Sequence, residues 1–200
     1  MLSASSVTHV ARIDAIVVGA SAGAVEALKV LLPAFPADLD IPVIVVVHLT
    51  PRHASLLADI FAPRCALPVA EPDDKQAVTP GIWFAPPDYH LLVEPDRTFS
   101  LSVEAPVRWS RPSIDVLFQS ASDVYGASLA AVILTGANDD GAAGAATVRG
   151  AGGVVLVQTP SEAEVDSMPL AAMAVATPQF VGTLAEIAEA LRSLTSGSHS

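Results

Sequence analysis

Cysteine is nearly absent from this sequence, which holds Cys65 alone among its 200 residues. A single cysteine cannot form a disulfide bond within the chain, and this usage fits a reducing compartment. No apolar stretch approaches the roughly 20 residues that a bilayer-spanning helix needs. The first residues also lack the basic start and apolar run of a signal peptide. These absences predict a cytoplasmic protein that does not insert into a membrane.

Basic residues are also scarce, with 10 Lys and Arg against 21 Asp and Glu and a formal net charge of -11. They are scattered singly along the chain. Phosphate backbones and anionic lipid surfaces attract clustered Lys and Arg, so this balance argues against nucleic acid or a membrane surface as the main partner. Apolar residues make up 52% of the chain, enough to bury the core of one ordinary domain.

Short apolar runs and helical periodicities alternate along the chain, which is typical of a parallel sheet with helical crossovers. The predicted strands are 13–19, 41–48, 129–135 and 154–158, and the predicted helices are 22–32, 55–64, 113–125, 141–149 and 183–194. Three further short runs lie at 81–85, 89–94 and 98–103, and the turn signal between the last two predicts an antiparallel hairpin over 89–103. The sequence thus predicts a single doubly wound, mostly parallel α/β domain over 13–195, with helices on both faces and an inserted hairpin. Residues 1–12 and 196–200 are expected to be disordered tails.

A glycine-serine-glycine pattern marks the join of the first predicted strand and helix. Gly19, Ser21 and Gly23 match the G-x-S-x-G spacing of a nucleophile elbow, a sharp turn that exposes the serine at a helix N-terminus. An anion-binding or purely structural turn and a dinucleotide-binding loop are the alternatives at this point. The dinucleotide loop, however, requires glycine where Ser21 stands, and an acid where the next strand ends in His48.

His48 ends the second predicted strand, at the edge where functional groups of open α/β sheets gather. Adjacent parallel strands lie about 5 Å apart, so this side chain can reach the end of the first strand. It could take the serine proton as a general base. The alternative is a histidine that closes the strand and bonds to the backbone.

Asp139 and Asp140 follow the strand 129–135 at the same predicted edge. Aspartate before a helix is a favoured N-cap, worth about 1 kcal/mol, so capping alone would explain the presence of either acid. A carboxylate that orients the histidine would complete a Ser-His-Asp triad. The residues therefore predict a hydrolase built on Ser21, His48 and one of these two acids.

Four further residues are weaker candidates for lining a cleft, and ordinary packing is the more common explanation for each: His53, His90, Trp83 and Trp109. No group of Cys and His has the spacing of zinc ligands, so no metal site is predicted.

Ordered motifs along almost the whole chain, from about Ile13 to Leu194, resemble the catalytic domain of the CheB-type chemotaxis methylesterases. The motifs are Gly19-Ala20-Ser21, Val47-His48, Ala85-Pro86-Pro87-Asp88-Tyr89-His90, Arg111-Pro112-Ser113-Ile114-Asp115-Val116-Leu117-Phe118, Leu134-Thr135-Gly136 with Asp140-Gly141, and Met168-Pro169. Together they are far more specific than G-x-S-x-G. The order Ser, His, Asp also differs from that of α/β-hydrolases, where His comes last.

The resemblance implies roles for individual residues. Ser21 matches the nucleophile, His48 the base and Asp140, rather than Asp139, the orienting acid, while the backbone N–H groups of Ala22 and Ala137 would hold the oxyanion. The family removes γ-methyl esters from glutamate side chains of methyl-accepting receptors and also deamidates certain receptor glutamines. The implied mechanism passes through an acyl-enzyme and requires no metal or organic cofactor.

The chain departs from the family pattern in three places. The family's complete enzymes carry a receiver domain that gates the site, and here that control is expected to be absent or to reside on a separate receiver or kinase. Position 22 is commonly a hydroxyl residue and is Ala22, and a usual Met-Gly is replaced by Ala137-Asn138. The receiver domain and Ala22 motivate one alternative to the esterase, a non-catalytic or weakly active signalling module with the same fold. The dinucleotide-binding enzyme suggested by the glycine loop is a further alternative.

Overall fold

The computed structural model describes residues 12–48 and 56–196 and contains one parallel sheet of seven strands in the order β3-β4-β2-β1-β7-β8-β9. These strands are β1 (Ala15–Ala20), β2 (Pro42–Val47), β3 (Val69–Ala70), β4 (Gly81–Phe84), β7 (Leu129–Ile133), β8 (Val154–Gln158) and β9 (Phe180–Gly182). A separate antiparallel pair is formed by β5 (His90–Val93) and β6 (Phe99–Ser102). The helices are α1 (Ala24–Leu31), α2 (Leu57–Phe61), α3 (Ile114–Tyr125), α4 (Ala142–Gly150), α5 (Ser167–Ala176) and α6 (Leu184–Ser196).

The central strands are buried on both faces, which explains why they are continuous apolar runs rather than alternating patterns. Alternate residues of β1 enter different cores. Ile16 and Val18 pack with α1, α2 and α6, whereas Ala15 and Val17 pack with α3, α4, α5 and the hairpin. Helices therefore cover both faces of the sheet, and the predicted doubly wound fold with an inserted hairpin is confirmed.

Three elements were not predicted. Strands β3 and β9 have two and three residues, too few for a periodic signal. Helix α5 carries apolar side chains on its exposed as well as its buried sides, so it shows no amphipathic stripe. Most of the expected tail residues, 1–11 and 197–200, lie outside the described residues, while Ser196 is the last residue of α6. In the described ranges, no helix has the length and apolar character to cross a bilayer.

Helices α3 and α4 pack so closely that one contact position accepts only glycine. A Cβ added to Gly144 would lie 2.6 Å from the Phe118 Cβ and 3.1 Å from the Asp115 Cα. The second of these atoms belongs to the backbone and cannot move aside without shifting α3.

We expect Gly144→Ala to destabilise the protein by about 1–3 kcal/mol, because the added methyl group forces the two helices apart. Gly150→Ala is the matched control, since this residue of the same helix has no atom within 4 Å of an added Cβ. Thermal unfolding followed by circular dichroism should give a lower midpoint for the first variant and an equal or higher midpoint for the second. Equal losses in both variants would contradict the packing described here.

Candidate active site

The loop that carries Ser21 follows β1 directly and is fixed by the neighbouring strand end. The Ser21 N–H donates to the Thr135 carbonyl oxygen at 2.9 Å. In return, the Thr135 hydroxyl donates to the Ala22 carbonyl oxygen at 2.9 Å. These two bonds join the end of β1 to the end of β7 and hold the serine at the carboxyl edge of the sheet.

Both glycines of the G-x-S-x-G pattern are required by close packing. A Cβ on Gly19 would lie 2.4 Å from the Cγ2 of Ile114, at the start of α3. Gly23 has a φ of 78° and precedes α1, and a Cβ there would lie 2.8 Å from the Glu164 Cβ. The pattern therefore lets α3 and the Glu164 loop approach the serine from two sides.

Strands β1 and β7 lie side by side, yet their following helices leave to opposite faces of the sheet, α1 to one and α4 to the other. This arrangement opens a crevice at the carboxyl ends of the two strands, the place where doubly wound folds bind their ligands. His48 follows β2, on the other side of β1, and its backbone N–H donates to the Ala20 carbonyl oxygen at 3.2 Å.

Ser21 and His48 line one cleft of about 290 Å³. Its remaining walls come from the start of α1 and the end of β2, and the two acidic side chains Glu26 and Glu164 also line it. Glu164 is an exposed residue that borders the cleft. The cleft is large enough for a small acyl side chain and is acidic at its margin.

The His48 imidazole meets a fully buried carboxylate. Its Nε2 lies 2.8 Å from Asp140 Oδ2, and the side chains are 12% and 0% exposed respectively. Asp139 points elsewhere, since this exposed residue pairs with Arg108. Of the two acids that the sequence left as alternatives, Asp140 is the one that contacts the histidine.

Asp140 also caps a helix, but not the helix that follows it. Its carboxylate accepts hydrogen bonds from the Ser113 hydroxyl at 2.9 Å, the Ile114 N–H at 2.7 Å and the Asp115 N–H at 3.0 Å. These groups form the N-terminus of α3, where free N–H groups favour a negative charge. Helix α4 instead starts at Gly141 with no side-chain cap from its own preceding residues. The expected N-cap role is therefore real but was placed on the wrong helix.

Helices α3 and α4 exchange their caps. Asp115, in the first turn of α3, accepts the Gly144 N–H of α4 at 2.7 Å, while Asp140, just before α4, caps α3. Arg108 adds charge balance, since its Nε lies 3.2 Å from Asp115 Oδ2 and its Nη1 contacts Asp139. The two helix N-termini and the two acids therefore form one connected unit beside His48.

The buried His90 side chain forms a hydrogen bond with the N-cap residue of α3. It is 2% exposed, its Nδ1 accepts the Ser113 N–H at 3.2 Å, and its Nε2 donates to the Ala105 carbonyl oxygen at 3.1 Å. His90 is therefore a buried packing residue that does not line the cleft, in agreement with the ordinary packing role that the sequence favoured. Trp83 is buried, whereas Trp109 is fully exposed rather than packed. His53 lies outside the described residues.

The environment keeps Asp140 ionised. Burial alone would raise the pKa of this carboxyl, but the hydrogen bonds from His48, Ile114 and Asp115 more than offset burial and hold the pKa below its ordinary value. For Asp115, burial dominates and raises the pKa, with a further contribution from the Asp140 charge. An ionised carboxylate only accepts hydrogen bonds, so the His48 Nε2 facing it must carry the proton, and Nδ1 is left as the acceptor.

The serine and the histidine are neighbours without a direct bond. Within residues 12–48 and 56–196, no hydrogen bond joins the Ser21 hydroxyl to His48. The backbone N–H groups of Ala22 and Ala137 also have no partner among these residues, and Ala137 is exposed. An oxyanion donor must have a free N–H, and neither Ala22 nor Ala137 is among the residues that line the cleft. The same ranges hold no group of His, Cys, Asp and Glu side chains arranged to bind a metal ion.

Three supporting residues were not identified from the sequence, namely Ser113, Asp115 and Thr135. Ser113 and Asp115 lie in the Arg111–Phe118 motif at the predicted start of a helix, and Thr135 lies in the Leu134-Thr135-Gly136 motif. Apart from Arg108, which lies seven positions from Asp115, the side-chain partners named here lie 23 to 30 positions away along the chain, or 113 in the contact of Thr135 with Ala22. Local spacing therefore gives no signal for these contacts.

A serine, a histidine and a buried carboxylate at the carboxyl edge of a doubly wound sheet are typical of serine hydrolases. The family model described as CheB methylesterase matches residues 16–191. Because this match covers most of the chain, the chain belongs to the CheB methylesterase family.

Individual relatives agree with the family match. The chain is 43% identical over 177 residues to a putative protein-glutamate methylesterase/protein-glutamine glutaminase of Leptospira interrogans, covering 88% of this chain and 92% of that protein. It is 33% identical over 162 residues to the protein-glutamate methylesterase/protein-glutamine glutaminase of Trichodesmium erythraeum, covering 79% of this chain and 46% of that protein. The crystal structure of the Thermotoga maritima CheB methylesterase catalytic domain has a TM-score of 0.87 at 29% identity, covering 92% of this chain and 100% of that one.

The lowered pKa of Asp140 makes part of the stability depend on pH. A carboxylate whose folded pKa lies below its unfolded value of about 3.9 stabilises the fold above that value, and this contribution is lost as the pH falls through the folded pKa. We expect Asp140→Asn to lower the unfolding free energy near neutral pH by about 2–3 kcal/mol, because the donors lose a charged acceptor. Urea unfolding at a series of pH values should show the difference between variant and wild type narrowing below about pH 4. A difference that is constant with pH would contradict the depressed pKa.

Proposed function

We propose that this protein hydrolyses γ-methyl esters on glutamate side chains of methyl-accepting receptor proteins, and that it also deamidates glutamine side chains at such sites. Membership of the CheB methylesterase family and the names of the relatives support this substrate class. The observation that carries the mechanism is the 2.8 Å contact of His48 Nε2 with the buried Asp140 carboxylate, since His48 lines the same cleft as Ser21.

In the acylation half of the reaction, the Ser21 hydroxyl attacks the ester carbonyl carbon and its proton passes to His48 Nδ1. The ionised Asp140 stabilises the imidazolium that forms and fixes its orientation through Nε2. The N–H groups of Ala22 and Ala137 hold the oxyanion, and one such donor is typically worth about 3 kcal/mol. His48 then returns the proton to the methoxy group, which leaves as methanol. Catalytic hydrogen bonds are often long in free enzymes and tighten with substrate, so the missing Ser21–His48 bond is compatible with this role.

In the second half, water attacks the acyl-enzyme and gives its proton to His48. The tetrahedral intermediate collapses, Ser21 recovers its hydroxyl proton, and a free glutamate side chain is released. A glutamine substrate follows the same steps with ammonia as the leaving group. None of these steps requires a metal or an organic cofactor.

This substrate class identifies the partner and the compartment. The partner is a methyl-accepting chemotaxis receptor or a related sensor, and the protein works in the cytoplasm where the receptor signalling helices lie.

We expect Ser21→Ala to reduce methanol release from a methylated receptor fragment by at least about 10³-fold, because the nucleophile is lost. Ser193→Ala, an exposed serine on α6, is the matched control and should retain wild-type release. A serine-directed phosphonate should label the wild type once, at Ser21, and mass spectrometry of the digested protein identifies the labelled residue.

The binding-module alternative makes the opposite prediction. A protein that keeps the fold but has no active nucleophile forms no covalent adduct at Ser21 and releases no methanol. Methanol release that survives Ser21→Ala would also reject the proposed mechanism.

A further inference from the structure

Trp109 presents its whole side chain to solvent. It is 100% exposed, while the other tryptophan, Trp83, is 9% exposed. The next most exposed large apolar residue in the described ranges is Val103, at 70%. Single apolar residues on a surface are common and need no explanation by themselves. Two further features separate Trp109 from such residues.

The first feature is the turn that carries it. Val107 and Ser110 bond to each other in both directions, with N–H to carbonyl oxygen distances of 3.1 and 2.8 Å. Between them, Arg108 and Trp109 have φ values of 48° and 65°. A two-residue turn with both central φ values positive is strongly favoured by Asn-Gly, whereas Arg and Trp are disfavoured there. The chain therefore keeps a large indole at a position where a small residue would be more stable.

The second feature is the anchor. Arg108 reaches back from the turn, with its Nε 3.2 Å from Asp115 Oδ2 and its Nη1 against Asp139. Asp139 is the sequence neighbour of Asp140, and the Asp115 N–H donates to the Asp140 carboxylate. The Arg108 side chain therefore attaches the turn to the unit that holds His48, and the adjacent indole is left in solvent.

We propose that Trp109 is a docking residue, which packs against the helical surface around the methylated side chain of the receptor substrate. This inference rests on the proposed function. A rigid aromatic residue buries a large area at little cost in conformational entropy, and tryptophan is among the residues that most often dominate binding. The protein has few cationic side chains and a formal net charge of -11, so an apolar anchor on the unit that holds His48 supplies affinity without charge attraction. Trp109 acts on binding and not on the chemical step.

The test uses Trp109→Gly and Trp109→Asn, two substitutions that suit a positive φ and therefore favour the fold. We expect KM for a methylated receptor cytoplasmic fragment to rise about tenfold or more, with kcat changed less than about twofold. The melting temperature of Trp109→Gly should equal or exceed that of the wild type, because glycine accepts this backbone conformation freely. Val103→Ala, which removes another exposed apolar side chain, is the control and should leave KM and kcat at their wild-type values.

A second readout does not depend on turnover. Binding of the same fragment to the Ser21→Ala protein should shield the indole from acrylamide quenching, since Trp83 is buried already. An unchanged KM in the variants, or fragment binding without shielding, would overturn the docking role. Phosphonate labelling of Ser21 in the wild type tests the proposed function separately. Labelling together with an unaffected KM rejects only this inference, and absent labelling with intact shielding rejects only the catalytic function.

Discussion

The buried carboxylate of Asp140 is the interaction on which the site depends. A fully buried charge is costly unless donors surround it, and Asp140 has four: the His48 ring, the Ser113 hydroxyl, and the N–H groups of Ile114 and Asp115. Three of these belong to the start of α3, so the helix dipole also stabilises the charge. One side chain thus fixes both the histidine and the helix that packs beside the serine loop.

The architecture explains why such a junction forms at this place. Parallel strands bring the ends of β2, β1 and β7 to one edge, and the helices after β1 and β7 depart to opposite faces. The loops can approach closely because glycine occupies positions 19, 23 and 144, where a Cβ would meet Ile114, Glu164 or Phe118. Asp115 returns the cap to α4, so the two helices hold each other in register. The docking turn at Trp109 is attached to this same unit through Arg108.

The main strands, α3 and the candidate site residues could be predicted from the sequence. The contacts between distant segments could not, for physical reasons. The buried strands and α3 carry strong local signals, namely apolar runs and, at α3, Ser113 and Gly126 at the two ends. Strand order places Ser21, His48 and the Asp139-Asp140 pair at one edge. The capping of α3 by Asp140 joins residues 26 positions apart, and no local pattern reports such a contact. The turn at Arg108 was also missed, because its residues lack the Asn-Gly chemistry by which such turns are recognised.

The most direct test of the Asp140 junction is the position of the proton on the His48 ring. NMR of protein carrying nitrogen-15-labelled histidine reports whether each ring nitrogen bears a proton. The His48 signals are assigned by their loss in a His48→Gln variant. An ionised Asp140 facing Nε2 predicts a proton on Nε2, a bare Nδ1 on the neutral ring, and a clear change of both signals in Asp140→Asn. A neutral ring protonated on Nδ1, or His48 signals that are unchanged in Asp140→Asn, would contradict the proposed contact.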